Sequence, residues 1–224
     1  MRGLWLADMY RNHGKRLFDV ALSAALLVVL APVYAAVALI VLIFLGRPVL
    51  FVQRRPGKDE KLFAIQKFRT MLPPSSPGGE PISESRRITR LGRVLRKTSL
   101  DELPQLINIL KGDMSFVGPR PLLEEYLPYY TGEEKLRHSV RPGLTGWAQI
   151  EGRNLLGARQ RLALDVEYAR KVSFAFDLKI LIRTPLVVFF QEGVQVCPAE
   201  QSASFVAERR SRAAAAQSAA EGDI

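Results

Sequence analysis

The sequence predicts an α+β fold, mainly helical and monotopic, with a re-entrant kinked membrane helix, a small β-hairpin and amphipathic interfacial helices. Three observations carry this expectation. Residues 20–46 hold no charged side chain and are broken near their middle by Ala31-Pro32. Two β-favouring stretches, 48–53 and 61–68, flank the turn-rich Arg55-Pro-Gly-Lys-Asp-Glu60. Beyond them, apolar residues recur at helical spacing among a dense set of arginines.

The apolar run comes first. At about 1.5 Å per helical residue it would extend roughly 40 Å, more than the roughly 30 Å hydrocarbon core of a bilayer. A straight crossing gathers positive charge on the cytoplasmic side. Here Arg2, Arg11, Lys15 and Arg16 precede the run while Arg47, Arg54, Arg55 and Lys58 follow it, so both flanks are expected on one side. Pro32 lacks an amide donor, and its ring collides with the carbonyl one turn back, which allows a sharp bend. The expected path enters the bilayer and returns, with Ala31 and Pro32 as the break. A tilted single-pass helix with a proline kink is the competing reading. A secretory signal fits less well, because its apolar core is about 7 to 15 residues and no small-residue cleavage site follows. A buried soluble helix usually keeps a polar face, whereas this run has only Ser23 and Tyr34 as polar side chains.

Further along, the two β-favouring stretches form a hairpin, and the proline-, glycine- and serine-rich residues 73–81 form a loop. Arg86, Arg87, Arg90, Arg93, Arg96 and Lys97 alternate with Ile88, Leu91, Val94 and Leu95, giving an amphipathic helix whose charges face solvent or headgroups. Arg96 stands apart through its closeness to the next segment. From 100 to 110, Leu103, Leu106, Ile107 and Leu110 recur at helical intervals with Ser99 as cap, which puts Asp101 and Glu102 in the first turn. There, free amides and the helix dipole favour negative charge and an incoming phosphate. The fragment alone admits a poised nucleophile or a capping box in which Glu102 merely returns to the cap amide. Residues 122–130 and 132–140 read as short helices, 146–150 as a short strand and 158–172 as a helix. Residues 174–190 form a helix with a narrow polar stripe, suited to the membrane interface or to the core. From 207 onward the chain reads as a solvated tail.

These elements suggest an N-terminal segment at 1–14, the membrane helix-break-helix at 15–46, one cytoplasmic catalytic domain at 47–196 and a partly disordered tail at 197–224. A net charge of +10 favours anionic partners without choosing among nucleic acid, lipid headgroups and phosphorylated substrates. Cys197 is the only cysteine, which excludes an internal disulfide and a cysteine-based zinc site. His13 and His138 are the only histidines, so catalysis must lean on carboxylates and cations.

The chain carries Asp101-Glu-Leu-Pro-Gln-Leu106, Lys111-Gly-Asp-Met-Ser-Phe-Val-Gly-Pro-Arg-Pro121, Arg141-Pro-Gly-Leu-Thr-Gly-Trp-Ala-Gln149 and Gly152-Arg-Asn154. Together with Lys15-Arg-Leu-Phe-Asp19, Arg55-Pro-Gly57 and Lys67-Phe-Arg-Thr-Met71, this ordered set resembles the bacterial sugar transferase family. Its small monotopic phosphoglycosyl transferases include the bacillosamine-phosphate transferase of bacterial N-glycosylation. The resemblance implies an enzyme of the bacterial inner membrane, with its catalytic domain on the cytoplasmic face, that moves a sugar 1-phosphate from a UDP-sugar to undecaprenyl phosphate and releases UMP. Asp101 would be the nucleophile, and Glu102 would assist through Mg2+ or by positioning the acceptor. Both are the implied metal ligands, and oxygen-only ligands suit magnesium. Arg120, between Pro119 and Pro121, would contact a phosphate in bidentate fashion.

Arg96, Arg141 and Arg153 are phosphate-binding or structural under this resemblance, while Gln149 and Asn154 would read sugar hydroxyls or the uracil edge. Trp147 stacks on the nucleotide or packs, and Lys67 and Arg69 face headgroups or support the site. Membrane lipid is an implied partner, downstream glycosyltransferases are allowed as further ones, and nucleic acid is not expected. Members commonly place serine before the membrane-helix proline, where this chain has Ala31, so the bend must be satisfied by other pairing. Two alternatives remain: a non-catalytic basic membrane-anchored binding protein, and a metal-dependent hydrolase of nucleotide sugars.

Overall fold

The computed structural model describes residues 9–74, 82–152 and 156–189, together with Ala207 and Arg209. A helical turn, Tyr10–Gly14, leads into α1 (Lys15–Val29), which meets α2 (Ala31–Leu45) at an angle of 64°. Leu30 forms the corner, and Pro32 lies in the first turn of α2, where a missing donor costs nothing. In a straight helix the Pro32 amide would serve the Val28 carbonyl; instead the Leu30 N–H points back to the carbonyls of Leu26 and Val28. The bend is thus satisfied without a serine hydroxyl at position 31. Among the described residues no single helix is long and apolar enough to cross a membrane, but the bent pair is so by length and composition.

The two arms have different surroundings. Along α1, Lys15, Asp19 and Ser23 are buried at four-residue spacing, while Phe18, Leu22, Leu26 and Leu27 pack on the main core. Asp19 accepts hydrogen bonds from the Ser115 hydroxyl at 3.1 Å and the Phe116 N–H at 3.0 Å. Lys15 pairs with Asp177, which also accepts from the Tyr10 and Tyr168 hydroxyls, each at 2.7 Å. α2 by contrast buries only Val37 and Val41 and leaves Leu39, Ile40, Ile43 and Phe44 exposed.

β1 (Leu50–Pro56) and β2 (Leu62–Phe68) form the expected antiparallel hairpin, paired from Leu50↔Phe68 to Pro56↔Leu62. Just after β2, Arg69 donates to the Gly46 carbonyl at 2.6 Å, the Arg47 carbonyl at 3.0 Å and the Leu45 carbonyl. A guanidinium thereby caps the end of α2 and fixes it to the hairpin. The single helix expected over 86–97 is two helices, α3 (Glu84–Arg87) and α4 (Arg90–Lys97). Ile88 leaves the helical path to bridge Met71, and Thr89 caps α4 by accepting the Gly92 N–H at 2.9 Å. α4 approaches so closely that a Cβ on Gly92 would lie 2.0 Å from the Thr70 carbonyl oxygen.

The helix expected from 100 to 110 is also divided. A 3₁₀ turn, Leu100–Glu102, precedes α5 (Gln105–Lys111), because Pro104 cannot donate to the Leu100 carbonyl. Ser99 is left-handed with φ 58° and makes no cap bond, so the capping box does not form. β3 (Ser115–Val117) then pairs in parallel with β4 (Gly143–Thr145), Ser115 opposite Gly143. The strand expected at 146–150 is instead α6 (Trp147–Glu151), because the Gly146 carbonyl accepts the Gln149 and Ile150 amides and starts a helix. The two segments between the strands, expected as short helices, are the 3₁₀ turns Glu124–Tyr129 and Glu134–Ser139.

α7 (Ala158–Lys171) and α8 (Phe174–Phe189) close the fold. The core gathers Ile109, Met114, Val117, Tyr168 and Ile180. α8 buries Asp177 and Ile180 and exposes Phe174, Leu178, Ile182 and Leu186, so it serves the core on one side only. Residues 75–81 of the expected loop lie outside the described residues, as does the tail except for Ala207 and Arg209, whose guanidinium pairs with Glu134.

Candidate active site

Asp101 and Glu102 sit on the 3₁₀ turn before α5, and three other segments bring cations to them. β2 supplies Lys67, whose ammonium donates to Glu102 Oε1 at 2.6 Å. The turn after β3 supplies Arg120, whose Nη2 donates to the same oxygen at 2.7 Å. α4 supplies Arg96, whose Nε donates to the Thr70 hydroxyl at 3.0 Å and whose charge reaches Asp101.

The two carboxylates differ sharply. Burial opposes ionisation of Glu102, but the Arg120 and Lys67 charges outweigh it and hold the carboxyl far below the usual range. Asp101 is only 7% exposed, and among the described residues no group donates a hydrogen bond to it. Burial first, then the neighbouring Glu102 charge, raise its pKa to about 6, against the pull of Lys67, Arg96 and Arg120. Asp101 is therefore mostly ionised at neutral pH yet more basic than an ordinary aspartate, which favours attack on an electrophile.

Two further arginines enlarge the positive field. Burial and then the Arg120 charge depress Arg55, on β1, to about 10. Burial also lowers Arg161, on α7, with Asp165 opposing and Arg120 adding to the effect. Arg55 lies in the Arg-Pro-Gly string but was expected only as a flank charge of the apolar run, and nothing in the local sequence marked Arg161. A third, Arg137, is fully enclosed: its Nη2 donates to Asp165 at 2.8 Å and to the Arg120 carbonyl at 2.7 Å. It fixes the main chain of Arg120, whose side chain remains 41% exposed and open to a ligand.

The other predicted residues are placed as follows. Arg141 donates from Nε to the Gly112 carbonyl at 2.8 Å, at the end of α5 remote from the carboxylates by about 10 Å of helix rise. Gln149 donates to the Leu144 carbonyl at 3.1 Å, and its enclosed Oε1 has no partner among the described residues. Trp147 packs edge-on to Phe176 with centroids 5.0 Å apart, lies under Lys179 and donates to Glu167 at 3.2 Å, so its indole is used in packing. Arg153 and Asn154 lie outside the described residues. Lys67 supports the site, Arg69 secures the end of α2, and Ala31 and Pro32 follow the Leu30 corner.

A basic field around one pinned carboxylate and one buried, more basic carboxylate suits transfer of a strongly anionic group. The class so defined is that of transferases acting on phosphorylated substrates. The family model of the bacterial sugar transferases matches residues 10–191, and the chain belongs to that family. It is 47% identical to an uncharacterised sugar transferase, EpsL, of Bacillus subtilis, over 81% of this chain and 90% of the relative. It is 41% identical to the UDP-glucose:undecaprenyl-phosphate glucose-1-phosphate transferase of Escherichia coli, over 76% of this chain and 39% of the relative. The undecaprenyl-phosphate galactose phosphotransferase of Salmonella typhimurium is 36% identical over 84% of this chain and 43% of its own length. The chain thus spans most of the first relative and less than half of the other two.

Proposed function

We propose that this protein transfers a sugar 1-phosphate from a UDP-sugar to undecaprenyl phosphate, releasing UMP and starting glycan assembly, through an aspartyl-phosphosugar intermediate on Asp101. The observation that carries this reading is the contrast between the carboxylates: Glu102 is held by Lys67 and Arg120, while Asp101 is buried, more basic than usual and accepts no hydrogen bond among the described residues. A carboxylate oxygen of Asp101 attacks the phosphorus that bears the sugar, and the bond from that phosphorus to the UMP oxygen breaks, UMP leaving with the electron pair. A phosphate oxygen of the lipid then attacks the same phosphorus and returns Asp101 as carboxylate. Arg120 and Arg96 offset the charge that builds on the phosphoryl oxygens.

Among the described residues no three His, Cys, Asp or Glu side chains are grouped to hold a metal ion. Magnesium does not need such a cage, since it is commonly held by one or two carboxylates together with substrate phosphates, and Asp101 and Glu102 fit that donor set. Bound there, it would neutralise charge on the diphosphate.

We read residues 15–46 as the re-entrant anchor, 1–14 as the segment before it, 47–196 as the catalytic domain on the cytoplasmic face of the bacterial inner membrane and 197–224 as a tail. The bent helix pair with an exposed apolar α2 supports this, and lipid-linked product would pass to downstream glycosyltransferases. In a variant lacking Cys197, Met9→Cys and Lys58→Cys should both be shielded from an external thiol reagent; opposite accessibility would establish a single crossing. For the chemistry, membranes are incubated with UDP-glucose or UDP-galactose, and intact-protein mass spectrometry looks for a hexose-phosphate adduct that undecaprenyl phosphate discharges. The Asp101→Asn variant should show neither adduct nor transfer, and undiminished transfer would defeat the nucleophile assignment.

A further inference from the structure

Arg16 reads as a flanking charge beside an apolar run, of the kind that meets lipid headgroups. Its contacts are elsewhere. Nη1 donates to the Ile109 carbonyl at 2.6 Å and Nη2 to the Leu110 carbonyl at 2.8 Å. These lie in the last turn of α5, where the dipole favours a cation; the Ile109 carbonyl also accepts the Gly112 N–H at 3.0 Å, so Arg16 adds a second donor there. Gly112, at φ 98°, presses against the same guanidinium: a Cβ there would stand 3.3 Å from Arg16 Cζ. Three residues after Arg16, Asp19 holds the Ser115 hydroxyl and the Phe116 N–H that follow α5. The first membrane arm therefore grips the C-terminal end of α5 and the strand beyond it.

The other end of α5 carries the reacting turn, Leu100–Glu102. Between the two ends, Asn108 accepts the Gln66 N–H at 3.1 Å and donates to the Ala64 carbonyl at 2.8 Å, which ties α5 to β2. β2 also bears Lys67, one of the two cations that hold Glu102. A helix fastened at its tail and its middle transmits its axial position to its start, because its hydrogen-bonded turns resist compression.

We infer that Arg16 is a positioning residue: acting through α5, it sets the place of Asp101 and Glu102 from the membrane arm. This inference rests on the proposed transfer reaction for its kinetic consequence, but the grip itself is testable without it. The experiment uses the full chain in lipid nanodiscs, as wild type, Arg16→Ala, Arg16→Lys and Arg11→Ala. Arg11 is an exposed flank charge of the same sign on the preceding turn.

With whichever of UDP-glucose and UDP-galactose loads the wild type, Arg16→Ala should form the adduct about ten- to a hundredfold more slowly, the order expected for a displacement near 1 Å. Its KM for the nucleotide sugar should stay within about twofold, since the loss lies in geometry at the reacting atoms rather than in ground-state binding. Arg16→Lys should recover part of the rate, an ammonium being unable to span both carbonyls as the guanidinium fork does. Arg11→Ala should match the wild type. By hydrogen exchange, the amides of α5 should open faster in Arg16→Ala while those of the β1–β2 hairpin keep their protection.

An Arg16→Ala rate equal to wild type overturns the inference, as does an equal loss in Arg11→Ala or a general rise in exchange that includes the hairpin. A wild type that forms no adduct defeats the proposed reaction instead, and the exchange at α5 then still decides whether Arg16 holds the helix.

Discussion

Replacing Asp101 by asparagine should silence the enzyme and at the same time make it more stable. The carboxyl rises from an ordinary 3.8 to about 6 because burial and the Glu102 charge penalise its ionised form. That rise corresponds to roughly 3 kcal/mol of free energy lost by the folded state when the group is charged. For a group raised in the folded state, the stabilising contribution is complete below its unfolded value and is lost as pH climbs through the folded one. Asparagine stays neutral and never pays that cost. The variant should therefore gain little near pH 4, about 1 kcal/mol at pH 4.5 and roughly 3 kcal/mol above pH 7. For a chain of this size, about 2 to 4 °C per kcal/mol gives a rise in Tm of roughly 6 to 12 °C at pH 8. Thermal unfolding of both proteins in the same detergent at pH 4.5 and pH 8 measures it. A variant that melts no higher than wild type at pH 8, or whose gain is the same at both pH values, refutes the claim that Asp101 is held ionised against its surroundings.

Glu102→Gln should have the opposite sign: it strips Lys67 and Arg120 of their shared anion, and since both cations are partly exposed the expected loss is about 1 to 2 kcal/mol, read as a lower Tm at pH 8. Gly92→Ala drives a methyl group into the Thr70 carbonyl and must displace α4 with Arg96; a loss of about 2 kcal/mol or more and slower transfer are expected in melting and rate assays. Asp177→Asn takes the counterion from buried Lys15 and weakens two tyrosine hydrogen bonds, so denaturant unfolding should show roughly 3 kcal/mol less stability. Treatment with EDTA should abolish adduct formation and added Mg2+ should restore it; activity that survives chelation would remove magnesium from the reaction.

Short-range signals were the legible ones. The hairpin follows from turn residues lying between two β-favouring stretches, and α7 follows from uninterrupted helical spacing with glycine just before it. Much of what escaped was decided by contacts distant in sequence. Ile88 leaves its helix because Met71 offers a bridge, a fact no window around Ile88 contains. β3 and β4 are three residues each, and β3 is buried throughout, so neither has room for an alternating pattern. The site divides in the same way. Its carboxylates and Arg120 stand in the ordered motifs, and Lys67 was expected either to face headgroups or to support the site. Arg137 was missed, because an arginine in a charged stretch reads as solvated until Asp165 and the Arg120 carbonyl are seen around it. The Ser99 cap failed for a purely local reason, Pro104, which outweighs cap preference in deciding where the helix begins.

The close pairing of β3 with β4, and of the turns that follow them, bears on any attempt to redirect sugar choice by mutagenesis. A Cβ at Gly118, Gly143 or Gly146 would come within 2.3 Å of the Arg141 oxygen, 2.1 Å of the Gly118 nitrogen or 2.2 Å of the Gly118 oxygen. Main chain meets main chain there, leaving no side chain to swing aside. Randomised libraries should spare those three codons, because even alanine there would shift the main chain two residues before Arg120.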